Sequence, residues 1–304
     1  MSAVFTSLAA LVKSGDRIVA ARALFGSSLV IFDELFAKWG VRTDYVDGHV
    51  LEQWEAALAT PATVVFFETP SNPMQDIVDV RAVCDLAHRA GALVVLDNVF
   101  ATPVLQRPLE QGADIVVYSA TKHIDGQGRV LGGAILGPKD YISGPVRTLI
   151  RNTGPSLSPF NAWVLLKGLE TLSLRVRHQS ASAHRLAGWL EGHPGVAQVR
   201  YPFLESHPQY ELARAQMEAG GTVVTIATSR CPTARHPRSP SGSPSASSTR
   251  CGSSTSRTTW VTRSRWSRTR RRRRTASWAW PGARRSGSRS RRSGYRSASR
   301  TSAT

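Results

Sequence analysis

Three short, nearly unbroken apolar runs, residues 62–67, 92–96 and 114–117, set the fold class. Each is too short for a typical helix and too uniformly apolar for a strand with one wet face. Each therefore reads as a strand buried on both sides. Around them lie segments with apolar residues at helical spacing. These are residues 1–13 (Val4, Leu8, Leu11, Val12), 27–39 (Leu29, Phe32, Leu35 and Phe36 on one side), 51–58 and 80–90. Residues 16–21, 43–46 and 130–136 read as further strands, with a short helix around Leu109. Buried strands alternating with helices specify an α/β fold, a mostly parallel sheet with helices on both faces. After Asp140 the pattern turns helical, with one long helix over 158–172 and a second over 174–191. Residues 196–200 and 221–226 read as the first strands of a small C-terminal domain.

Two of the buried runs end in residues with chemistry. Residues 92–96 lead into Asp97, and residues 114–117 into Tyr118-Ser119-Ala120-Thr121-Lys122-His123, followed by Gly126, Gly128 and Gly132. In open α/β sheets ligands sit at the carboxyl ends of the strands, where both Asp97 and Lys122 are expected. An amine withdrawn from water has its pKa lowered and becomes a better nucleophile toward an aldehyde. Ser119 and Thr121, at alternate positions of an extended segment, would present two hydroxyls on one face, which suits a phosphate. An aldehyde and a phosphate on one ring describe pyridoxal 5'-phosphate (PLP). A carboxylate such as Asp97 could keep the ring nitrogen protonated, the state in which the ring is an electron sink. On these residues alone, a lysine capping a strand end at the surface is an equally good reading.

Asp97-Asn98-Val99-Phe100-Ala101-Thr102-Pro103, Ser119-Ala120-Thr121-Lys122-His123 and Glu68-Thr69-Pro70-Ser71-Asn72-Pro73 resemble the Cys/Met-metabolism family of PLP enzymes, fold type I relatives of cystathionine γ-synthase. The loop Ile124-Asp125-Gly126-Gln127-Gly128-Arg129 looks most like the O-succinylhomoserine sulfhydrylase branch, and the resemblance runs from Met1 to about Thr225. It implies an aspartate-aminotransferase-like large domain and a role for each site residue. Lys122 joins the cofactor aldehyde and later moves protons, and Asp97 partners the ring nitrogen. Ser119 and Thr121 contact the phosphate. Phe25 stacks on the ring, with Gly26 beside it allowing close approach, and Asn72 contacts the ring oxygen. Glu68 lies near the site without a named role. Arg129 marks the branch, with a succinyl contact and a surface salt bridge both open. His123 and His184 read as packing or surface residues. The implied reaction replaces the succinate of O-succinylhomoserine by sulfide to give homocysteine, in methionine biosynthesis. Cystathionine γ-synthase or lyase and O-acetylhomoserine sulfhydrylase remain alternatives, and the family implies a homo-oligomer, a tetramer.

The formal net charge of +18 would suggest nucleic acid if it were spread evenly. It is not. Twenty of the 39 basic residues are arginines beyond Ser229, which leaves 19 against 21 acidic residues in the rest. The layout is therefore a PLP-binding large domain over 1–157, linking helices and the start of a small domain over 158–227, and an Arg/Ser-rich segment over 228–304. That last segment carries Trp260, Trp266, Trp278 and Trp280 but almost no Leu, Ile or Val. Such a bias is what a GC-rich gene gives in the wrong frame. Synonymous codons for residues 245–276, read two bases later, permit a string resembling the family's small domain. The expectation is a one-nucleotide frame change between about Ile226 and Ala246 and a disordered tail. A basic tail binding nucleic acid is the alternative. At the other end, Met1 aligns with the methionine of the Ser-Gly-Met segment that wraps the phosphate in relatives. The chain is thus expected to start inside the family's first helix and to bind PLP weakly, with no useful sulfhydrylase activity. Cys84, Cys231 and Cys251 give neither a disulfide framework nor metal spacing. No apolar run reaches membrane-spanning length and no signal peptide is evident, so the expected location is cytoplasmic, with no metal and no membrane partner.

Overall fold

The computed structural model describes residues 1–228 and a strand at Thr259–Val261. The tail assigned above to a frame change, with Cys231 and Cys251, otherwise lies outside the described residues.

Helix α1 (Ser2–Ala9) leads into strand β1 (Arg17–Ala21), helix α2 (Gly26–Val30) and strand β2 (Arg42–Val46). Helix α3 (Leu51–Leu58), β3 (Val64–Glu68), α4 (Val80–Arg89) and β4 (Leu93–Asp97) continue the alternation. The short helix α5 (Thr102–Leu105) and a 3-10 turn (Pro108–Gln111) precede β5 (Ile115–Ser119) and β6 (Gly133–Leu136). These strands form a six-stranded sheet in the order β2-β1-β3-β4-β5-β6. All its pairings are parallel except β5 with β6. The three central strands are the apolar runs of the sequence. Val64, Val65, Phe66 and Phe67 of β3 are wholly covered, as are Val94, Val95 and Leu96 of β4. Edge-to-face contacts of Phe32 with Phe66 and of Trp54 with Phe67 fill the two faces of the sheet.

Capping fixes where some helices begin. The Asp79 carboxylate accepts from the Ala82 amide to start α4, and the Ser158 hydroxyl accepts from Asn161 to start α8 (Pro159–Leu169), with proline in its first turn. Between them lie α6 (Lys139–Tyr141), a π turn (Ile142–Val146) and α7 (Arg147–Thr153). Helix α9 (Leu172–Glu191) follows α8 directly, so the break falls two residues earlier than expected. Strand β7 (Val196–Arg200), helix α10 (Tyr210–Gln216) and strand β8 (Val224–Thr228) begin a second sheet, in which β8 also pairs antiparallel with β9 (Thr259–Val261). Helices α5 and α10 escaped the sequence pattern.

One amphipathic stripe differs from expectation. Residues 31–36 form a π turn, wider than the α-helix. The change of period rotates the stripe: Ile31, Phe32 and Phe36 face the core while Leu35 is 39% exposed.

The second sheet is tied to the first through polar contacts around the loop after β3. Gln75 Nε2 donates to Val223 O (2.8 Å) and to Arg200 O (3.3 Å), and Thr225 Oγ1 donates to Pro73 O (2.8 Å). No helix among the described residues is long and apolar enough to cross a membrane.

Candidate active site

Because β3, β4 and β5 are parallel neighbours, their last residues Glu68, Asp97 and Ser119 gather at one edge of the sheet. Glu68 and Asp97 are register partners, which sets two carboxylates side by side. Glu68 is 3% exposed, and its Oε1 accepts from the Phe25 amide at 2.9 Å. Burial, and then the charge of Asp97, hold its carboxyl far above the usual range, against the pull of the Phe25 and Asn72 amides. Asp97 Oδ1 accepts from the Val99 amide at 3.0 Å. Its carboxyl is also raised, by burial, with the Val99 amide and the Met1 amino group opposing. Neither acid has a cation within ion-pair distance among the described residues.

Beneath them a buried network fixes the strand ends. Asn98 Nδ2 donates to Thr69 O (3.0 Å) and Gln106 Oε1 (2.8 Å), and the Tyr118 hydroxyl donates to Asn98 Oδ1 (3.3 Å). Phe25 caps the start of α2 and is 46% exposed as a residue, so it is not a core aromatic. Asn72 is half-buried in the loop after β3, which contains cis bonds before Pro70 and Pro73.

Lys122 departs from expectation. It lies not at a strand end but in a turn after β5, closed by Lys122 N to Ser119 O (3.1 Å), Asp125 N to Ala120 O (2.9 Å) and Gly126 N to Lys122 O (2.7 Å). The lysine is exposed, so the premise that its amine is withdrawn from water is not met in this chain. The turn also breaks the extended geometry that would put Ser119 and Thr121 on one face. Thr121 is tied to Gly132 instead: its amide and hydroxyl both donate to Gly132 O (3.3 Å each), and its Oγ1 accepts from Gly132 N (3.0 Å). The Ser119 hydroxyl is half-buried and has no hydrogen-bond partner among the described residues.

The loop after Lys122 is braced from within and behind. The covered Asp125 carboxylate accepts from the amides of Arg129 (2.6 Å) and Gln127 (3.3 Å) and from Arg129 Nε (2.9 Å). Burial works to raise this carboxyl, but those donors hold it below the usual range. Arg129 is thus in an ion pair, as one of its two readings had it. His123 Nε2 meets Thr222 Oγ1 at 2.6 Å, joining the turn to the approach to β8. Burial, with Arg175 and Lys122 nearby, pushes the imidazole down to about 4, against the main-chain carbonyl of Val99, which favours the protonated ring. Sequence reasoning missed Arg175, whose guanidinium donates to the main chain of this turn, and Gln75. For Arg175 the one available signal was Gly168, a glycine within a helical pattern that marks a close backbone approach.

The residues present suit PLP. An acid with no cation at ion-pair distance among the described residues answers a protonated ring nitrogen, an exposed aromatic answers a flat ring, and a hydroxyl and an amine lie one strand away. The family model described as Cys/Met metabolism PLP-dependent enzyme matches residues 1–238. The chain belongs to this family. Among its Cys/Met-metabolism relatives, O-succinylhomoserine sulfhydrylase of Mycobacterium tuberculosis (strain H37Rv) is 66% identical over 232 residues, 76% of this chain and 57% of that protein. The enzyme of the same name from Pseudomonas aeruginosa is 48% identical over 226 residues, 74% of this chain and 56% of that one. A solved family structure, cystathionine gamma synthase from Xanthomonas oryzae pv. oryzae in complex with aminoacrylate and cysteine, superposes with a TM-score of 0.73 at 36% identity, covering 75% of this chain and 59% of that one. The chain thus spans little more than half the length of the curated relatives it matches.

Proposed function

We propose that this site is that of an O-succinylhomoserine sulfhydrylase, which replaces the succinate on the γ carbon of its substrate by sulfide and yields homocysteine. The observation that carries the PLP part is the pairing of a carboxylate with no cation at ion-pair distance among the described residues, Asp97 on β4, with an amine just past the neighbouring strand, Lys122. The 66% identity to a sulfhydrylase supports the branch.

When bound, PLP supplies an aldehyde and an electron sink. The chain's own residues do the rest. Asp97 holds a proton on the ring nitrogen, and pairing with that cation stabilises its ionised form. Phe25 covers one face of the ring and excludes water. Ser119 donates to the phosphate, and Thr121 reaches it by giving up Gly132 as partner. Asn72 orients the ring through its oxygen. Lys122 Nζ would move a proton from the substrate's α carbon and then one from its β carbon; succinate would leave the γ carbon with its bonding electrons, hydrosulfide would add there, and protons would return to the β and α carbons. Residues 1–157 form the cofactor domain, and 158–227 the linking helices and the start of the small domain. The working form is a cytoplasmic homo-oligomer.

The test adds PLP to the purified chain, reduces with borohydride and maps the peptides. Label on Lys122 supports the site, and label spread evenly over the lysines refutes it. With the cofactor held, O-succinylhomoserine should perturb its absorbance, whereas homocysteine formation with sulfide is expected to be slow in a chain that spans 57% of its relative. A response only to methionine or cystathionine would move the assignment to another branch.

A further inference from the structure

The turn that carries Lys122 has little regular structure of its own. Only three main-chain bonds close it, and the carbonyls of His123 and Ile124, directly after the lysine, take no part in them. Arg175, in the first turn of α9, supplies the missing donors. Its Nη1 donates to His123 O (2.9 Å). Its Nη2 donates to Gly168 O (2.7 Å) and reaches Ile124 O at 3.5 Å. Its Nε donates to Thr171 Oγ1 (3.0 Å). No carboxylate lies within ion-pair distance of it among the described residues, so the planar fork is committed to main-chain carbonyls rather than to a charge partner.

Two glycines make room for this arrangement. At Gly126 (φ +73°) a Cβ would lie 2.1 Å from Arg175 Nη1, so the guanidinium occupies the space a side chain would fill. At Gly168 a Cβ would lie 2.1 Å from Ile124 O, so the backbone of α8 abuts the turn directly.

We propose that Arg175 is the positioning residue for Lys122, holding through the His123 and Ile124 carbonyls the turn from which the amine projects. Its consequence for cofactor capture rests on the PLP reading above. An amine on a loose turn samples many positions, and effective reaction with a bound aldehyde requires one.

The experiment compares wild type, Arg175→Ala, Arg175→Lys and Thr171→Ala, each as the full chain. One measurement is amide hydrogen exchange, which needs no cofactor. Loss of charge-assisted bonds should speed exchange of the amides of residues 122–126 by roughly 100-fold in Arg175→Ala, with β3 and β4 unchanged. The lysine, a point donor that cannot span three carbonyls, should restore only part of the protection. Thr171→Ala removes only the bond that orients Nε, and should give a smaller change of the same sign without threatening the fold. The other measurement is borohydride trapping of PLP, where the concentration for half-labelling of Lys122 should rise about 10-fold in Arg175→Ala.

Exchange in the turn equal to wild type in both alanine variants would overturn the proposal. So would a rise shared equally by β3 and β4, which marks general loosening, or unchanged labelling of Lys122 in Arg175→Ala. If wild type itself takes no label at Lys122, the PLP reading fails, and the exchange measurement alone decides whether Arg175 holds the turn.

Discussion

Replacing Gly168 by alanine sets a local preference against a packing constraint, and the coordinates decide which prevails. Within a helix, glycine to alanine is favourable by about 1 kcal/mol. Gly168 lies in α8 and is buried, and the new Cβ would stand 2.1 Å from Ile124 O and 3.2 Å from Asp125 Cα and O. These are backbone atoms of the Lys122 turn, so relief requires moving either the helix or the turn by about 1 Å, and overpacking against backbone that cannot rotate away lies at the upper end of the usual range, about 2–3 kcal/mol. The net expectation is a loss of about 1–2 kcal/mol. For a domain of this size that lowers Tm by about 2–8 °C. Gly188 in α9 is the control, because a Cβ there meets nothing within 4 Å. Gly188→Ala should raise stability by about 0.5–1 kcal/mol. Thermal melts of both variants, followed by circular dichroism, measure the pair. A Gly168→Ala protein as stable as wild type, or more so, would refute the reasoning, since the turn would then have to yield freely to the helix.

Both Glu68 and Asp97 are held above the ordinary carboxylate range, so the folded chain binds protons more tightly than the unfolded one. Their contribution to stability is complete below about pH 4 and is lost as pH rises through the raised folded values. Glu68→Gln, which can still accept from the Phe25 amide, should flatten that decline in urea unfolding against pH; an unaltered slope would contradict the assignment. His123, depressed to about 4, works in the opposite sense, adding stability as pH rises from about 4 to about 6.5, and its ring protons should titrate by NMR near 4 and not near 6.5. Asp97→Asn should leave the apo fold intact or firmer while weakening PLP binding by roughly 10- to 100-fold, measured by absorbance titration. Equal affinity in the two proteins would remove Asp97 from the site.

The sheet was legible because its central strands carry a signal that tertiary context cannot disguise. Residues 62–67 and 92–96 are short and apolar but for Thr63, so burial on two faces was the one economical reading, and with it the carboxyl-edge position of Asp97. The conformation at Lys122 was not legible. Ser119, Thr121 and Lys122 alternate as a strand would, but Thr121 bonds to Gly132 and the chain turns instead. A bond to a residue eleven places on leaves no periodic trace. The same holds for Arg175, whose partners His123 and Ile124 are some fifty residues away, and for Gln75, whose partner Val223 is 148 residues on. The π turn at residues 31–36 was missed for a different reason: the apolar spacing was read with the α period, which the turn does not keep.

The two halves of the site are therefore held by different parts of the fold. Glu68 and Asp97 are placed by strand register and by the Asn98 network beneath them, whereas Lys122 is placed by α8 and α9 acting on its turn. Two neighbouring acids, Glu68 buried and Asp97 half-buried, with no cation at ion-pair distance among the described residues, are a standing cost to the strands, and a cationic ring nitrogen turns that cost into attraction. Nothing in that exchange requires the helices to move. Substitutions in the two halves share no direct contact, so their effects on stability should add to within about 0.5 kcal/mol. Their effects on PLP binding should not, because one bound ring must satisfy Asp97 and Lys122 together. A double variant, Asp97→Asn with Gly168→Ala, separates these cases. Additive unfolding energies combined with non-additive PLP affinities are the expected result. Additivity in both would mean that the lysine and the carboxylate do not act on a common ligand.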